Sequence, residues 1–166
     1  MMKKKVCMLG AFAVGKTSLV QQYVHSIFSD KYQTTVGVKV DKKSVVVKGT
    51  SVDLILWDIY GEDEFQEVRA SYLRGAAGCL LVVDGTRRYT LDTAHALVER
   101  IRQTAGDIPI IFVFNKTDLI DLWEIETDHL RDTEQRGFAV IQTSAKDGTG
   151  VEEAFATLAE MMLEAP

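Results

Sequence analysis

Val6-Cys7-Met8-Leu9-Gly10-Ala11-Phe12-Ala13-Val14-Gly15-Lys16-Thr17 joins a short apolar run to a loop of the form G-x-x-x-x-G-K-[ST]. The glycines let the backbone curl so that successive amide N–H groups point inward, and the helix that follows turns its positive dipole end toward the same point. An array of this kind suits the phosphates of a nucleotide. The amides of Ala13, Val14, Gly15, Lys16, Thr17 and Ser18 form the cradle, Lys16 adds a point charge for the β- and γ-phosphates, and the Thr17 hydroxyl is a hard oxygen ligand for the accompanying Mg²⁺.

Outward from this loop, apolar runs rich in β-branched residues recur at 6–9, 45–47, 52–57, 79–83, 110–114 and 138–141. Helical patterns alternate with them at 16–24, 65–73, 91–104, 124–135 and 151–163. The alternation predicts an α/β fold with six strands, mostly parallel, and helices on both faces. One pair of strands is an exception. Lys48-Gly49-Thr50 is too short for a crossover, so 39–48 and 51–57 form an antiparallel edge hairpin. Ligands of such sheets bind at the carboxyl ends of the strands, where the loops starting at Gly10, Asp58, Asn115 and Thr143 converge.

The chain has 166 residues, of which 46% are hydrophobic and 26% charged, enough for one domain, 1–166, with one compact core. Its two cysteines, Cys7 and Cys79, fall inside strand patterns and read as reduced buried thiols, which fits a cytoplasmic chain. A net charge of −5 with both signs scattered disfavours nucleic acid as a partner. Lys3-Lys4-Lys5 reads as a solvated lead-in to the first strand, and no signal or membrane-spanning pattern follows it. With no cysteine near Pro166, a lipid anchor has no attachment point there. His25, His95 and His129 fall on separate helical patterns without metal-ligand spacing, and Arg87-Arg88 reads as solvated charge ahead of a helix.

The base is named by Asn115-Lys116-Thr117-Asp118, about 100 residues beyond the phosphate loop. A carboxylate at Asp118 can accept from both N1–H and the exocyclic amine of guanine, whereas adenine presents an acceptor and no amine there. Asn115 can lace this loop to the phosphate side and the Lys116 stem can cover a face of the base. Thr143-Ser144-Ala145-Lys146 supplies a second loop, whose Ala145 N–H can reach guanine O6.

With these motifs the chain resembles the Ras superfamily of small GTP-binding proteins over essentially its whole length. It is most similar to the Rab branch in Thr35-Val36-Gly37, Trp57-Asp58 and the stretch Ser71-Tyr72-Leu73-Arg74-Gly75-Ala76-Ala77-Gly78. The resemblance implies a small G domain that binds GTP or GDP with Mg²⁺ and works through an effector protein, an exchange factor and an activating protein, taken here as a monomer. It also implies roles: Phe28 stacks on guanine, Thr35 binds Mg²⁺ and the γ-phosphate, Asp58 holds a Mg²⁺-bound water, and Gly61 donates its N–H to the γ-phosphate. Thr35 rather than Thr34 takes that role because Val36-Gly37 follows it.

Four positions depart from the family pattern. Glu62 stands where a glutamine usually orients the attacking water; it can accept a proton but, ionised, cannot donate to a γ-phosphate oxygen. Phe12 and Tyr60 replace small residues beside the γ-phosphate, and Phe12 crowds the path of a partner's arginine finger. Val40 stands where the Rab pattern usually has an aromatic residue, and Trp57 with Tyr72 suits an effector surface. Two readings stay open: a switch with slow intrinsic GTP hydrolysis, in which Glu62, Lys16, Gly61 and Thr35 are catalytic, and a guanine-nucleotide-loaded interaction module that hydrolyses nothing useful.

Overall fold

Strand β1 (Met2–Gly10) divides its side chains between two cores: Val6 and Met8 lie in one set of buried residues, Cys7 and Leu9 in another. A strand buried on both faces has to lie between two layers of helix. The computed structural model describes residues 2–26, 28, 37–59 and 70–165 and has this arrangement. After β1 come α1 (Lys16–His25), β2 (Val38–Val47), β3 (Thr50–Ile59), α2 (Ala70–Leu73), β4 (Gly78–Asp84) and α3 (Tyr89–Ala105). Then follow β5 (Ile110–Asn115), a 3₁₀ turn (Thr117–Leu122), α4 (Thr127–Gln135), β6 (Ala139–Gln142) and α5 (Val151–Glu164).

The six strands lie in the order β2-β3-β1-β4-β5-β6, and every neighbouring pair is parallel except β2 with β3. The mostly parallel sheet and its one antiparallel hairpin are as the sequence predicts. On one face α1 places Leu19, Val20 and Tyr23 against Phe155, Leu158 and Met162 of α5, and the rings of Tyr23 and Phe155 stack 4.0 Å apart. On the other, α3 contributes Leu91, Ala94, Leu97, Val98 and Ile101, a stripe at helical spacing that covers Leu81, Val83 and Phe112. Cys7 and Cys79 are free, buried and directly opposite each other on β1 and β4.

The element bounds differ from expectation in two places. Lys3, Lys4 and Lys5 belong to β1, paired with Asp53, Leu54 and Ile55 of β3; the Lys5 ammonium sits 3.6 Å from the Trp57 ring centre and donates to the Arg74 carbonyl. A long aliphatic stem lets lysine join a half-open strand while its head finds π-electrons and a carbonyl. The helix expected at 124–135 starts only at Thr127, capped reciprocally by Glu126 and His129. Of the helix expected at 65–73, Ala70–Leu73 lies within the described residues and is helical, and the rest lies outside them.

Candidate functional site

Buried polar side chains gather where the parallel strands end: Asp58 closes β3, Asp84 closes β4, Asn115 closes β5, and Thr143 and Ser144 follow β6. Such groups are tolerated inside only when they are hydrogen-bonded. Asn115 is the centre of the arrangement. Its amide nitrogen donates to the Val14 carbonyl at 3.0 Å, and its oxygen accepts from the Thr143 hydroxyl at 3.0 Å and the Ala145 N–H at 3.3 Å. One side chain thus joins the loops after β1, β5 and β6.

The phosphate loop is held carbonyl by carbonyl. Lys16 Nζ donates to the Gly10 and Ala11 carbonyls at 3.5 and 3.2 Å, Arg87 to that of Phe12 at 2.9 Å, Lys116 to that of Ala13 at 3.1 Å, and Asn115 to that of Val14. Two residues in this network adopt left-handed backbone without being glycine, Ala13 at φ +61° and Lys116 at φ +77°. Such conformations persist only where the surroundings impose them, and they cluster at ligand sites. Gly15, at φ +105°, admits no side chain: a Cβ would overlap the Asn115 amide.

Lys16 is only 6% exposed. Burial pushes its ammonium down to about 8; the Asp58 carboxylate opposes that shift and the Arg87 guanidinium adds to it. A buried cation in this condition gains from a polyanion placed against it, which is the fit expected of a phosphate site. The Thr17 hydroxyl donates to Asp58 Oδ2 at 2.5 Å, so two of the three oxygen groups expected at Mg²⁺ stand side by side. One hydroxyl and one carboxylate suit this ion, which keeps several waters and binds phosphate oxygens as well.

At the base end, the Ser144 hydroxyl donates to Asp118 Oδ1 at 2.8 Å, fixing the carboxylate expected to meet guanine. The Ala145 N–H donates to Asn115 Oδ1 at 3.3 Å. Ser18 sits in the first turn of α1, Phe28 is 39% exposed, and Lys146 is exposed beside Ala145. Thr35, Tyr60, Gly61 and Glu62 lie outside the described residues.

Arg87, expected as solvated charge, is instead bound into the site. Its three nitrogens donate to Asp84, Tyr89 and Phe12, and Asp84, wholly buried, also accepts from Lys116 and Thr86. The signal was present in Asp84, a carboxylate directly after a run of five apolar strand residues, where an unpaired charge would be costly.

The Ras family model matches residues 5–164. The chain belongs to the Ras family. Within the family it is similar to Ras-related protein RABA4a of Arabidopsis thaliana, 36% identical over 93% of this chain and 69% of that protein. It is also similar to Ras-related protein RGP2 of Oryza sativa subsp. japonica, 33% identical over 93% of this chain and 72% of that one. Ras-related protein Rab11A of Lotus japonicus is likewise 33% identical, over 93% and 69%. These relatives place the chain among small GTPases of the Rab branch, regulatory proteins that bind guanine nucleotide. No helix among the described residues is long and apolar enough to cross a membrane.

Proposed function

We propose that residues 1–166 act as one G domain, a GTP-binding molecular switch with slow intrinsic hydrolysis that presents different surfaces to an effector in its GTP and GDP states. The observation that carries this reading is the direct bonding of the guanine-reading loop to the phosphate loop: Asn115 and Lys116 hold the Val14 and Ala13 carbonyls while Asp118 is fixed by Ser144. A nucleotide spanning both loops meets a site already assembled, which lowers the ordering cost of binding.

In this reading Lys16 and the loop amides bind the phosphates, Phe28 and Lys116 flank the base, and Ala145 and Lys146 complete its edge. Thr17, Thr35 and Asp58 hold Mg²⁺, which neutralises charge on the β- and γ-phosphates. Glu62 orients water as an acceptor only, so hydrolysis is slow, and Phe12 narrows the approach for an activating protein. Two loops, 29–37 and 58–72, gain contacts from the γ-phosphate and lose them when it leaves, so the exchange factor, effector and activating protein read the same segments.

Competition between GDP and ADP for the Mg²⁺-loaded protein tests the base assignment. GDP should outcompete ADP by several orders of magnitude, and Asp118→Ala should cost at least about a hundredfold in GDP affinity, the value of two charge-assisted hydrogen bonds. Equal competition by ADP would overturn the assignment.

A further inference from the structure

We propose that Arg87 is a positioning residue for the phosphate loop, bracing the Phe12–Ala13 peptide from outside and so setting how long a bound nucleotide stays. The proposal rests on the guanine-nucleotide reading of the site and adds a residue to it. The guanidinium has all three arms engaged: Nε on Asp84 Oδ2 at 2.8 Å, Nη1 on the Tyr89 hydroxyl at 2.7 Å and Nη2 on the Phe12 carbonyl at 2.9 Å. Asp84 is fixed in turn. Its Oδ1 accepts from the Thr86 N–H and hydroxyl, and its Oδ2 accepts from Lys116 as well as from Arg87, which uses the acceptor capacity of a carboxylate in full.

The peptide unit is planar and trans, so its C=O and N–H point in opposite directions. Drawing the Phe12 carbonyl outward toward Arg87 therefore turns the Ala13 N–H inward. Lys116 does the same for the Val14 N–H through the Ala13 carbonyl, and Asn115 for the Gly15 N–H through the Val14 carbonyl. Three consecutive inward amides thus have three separate outer braces, and Arg87 holds the first. Without it the peptide after Phe12 has lost its brace beside an alanine already held at φ +61°, a conformation that relaxes when released. Because Asp84 Oδ2 serves both Arg87 and Lys116, movement at the phosphate end is also felt beneath the base.

The test uses the full chain loaded with fluorescent GDP and Mg²⁺, comparing wild type with Arg87→Met and Arg87→Lys. Arg87→Met should release GDP roughly ten- to hundredfold faster, the factor carried by one charge-assisted hydrogen bond, and Arg87→Lys should fall between it and wild type. Amide hydrogen exchange in the loaded Arg87→Met variant should quicken at Ala13 while Gly15 and the strands β1 and β4 keep their protection. Release within twofold of wild type with Ala13 still protected would overturn the proposal, as would a uniform loss of protection through the sheet, which marks a purely structural role. A wild-type protein that fails to retain GDP would instead fault the guanine-nucleotide reading itself, and the proposal with it.

Discussion

Asp84 carries much of the site's internal electrostatics. Burial alone would raise its carboxyl pKa, but donation from Lys116, Thr86 and Arg87 outweighs burial and holds it below the usual carboxylate range. A group whose folded pKa lies below its unfolded value of about 3.9 stabilises the protein fully above that pH, and this contribution fades as pH falls through the folded value. Asp84→Asn leaves Lys116 and Arg87 facing a neutral amide and should cost roughly 1–3 kcal/mol at neutral pH. Urea unfolding at fixed GDP concentration should find this gap constant between about pH 7 and 5 and closing below about pH 4. A gap independent of pH would mean that Asp84 acts through shape and not charge.

Between elements, the decisive contacts are few and large. α1 carries the phosphate loop at its start and is held to α5 by the Tyr23–Phe155 stack, with the rings 3° from parallel. Phe155→Ala removes a fully buried ring from that face and should lower stability by about 3–5 kcal/mol, read as a shift in the denaturant midpoint at unchanged slope. The strand and helix patterns of this region were legible because apolar residues recur at periods of 2 and 3.6. The strap over the Asp84 turn was not. There Trp123 lies so close over Gly85 that a Cβ would overlap its ring, while Glu124 pairs through its N–H with the Gly85 carbonyl and through its side chain with the Arg88 N–H. These partners are 36 to 39 residues apart in sequence and follow no local period. Arg87 went unread for the same reason: its loop partner Phe12 is 75 residues away, and a charge at a helix start looks solvated until the fold closes.

Across the whole molecule, the order β2-β3-β1-β4-β5-β6 brings the carboxyl ends of the five parallel strands to one edge, where the buried Lys16, Asp58, Asp84, Asn115 and Thr143 gather. The phosphate-loop and Asn115–Asp118 motifs made this edge readable before any geometry, because each is short and fixed in spacing. The departures at Phe12 and Glu62 were equally legible as residues, but their effect on rate is a matter of positions around a γ-phosphate. Single-turnover hydrolysis of GTP loaded on the purified chain with Mg²⁺, beside Glu62→Ala, addresses the switch directly. The account predicts conversion to GDP measurably faster than for free GTP in the same buffer, and slower in Glu62→Ala. Hydrolysis on the wild-type protein no faster than in free solution would contradict it and leave a nucleotide-loaded interaction module in its place.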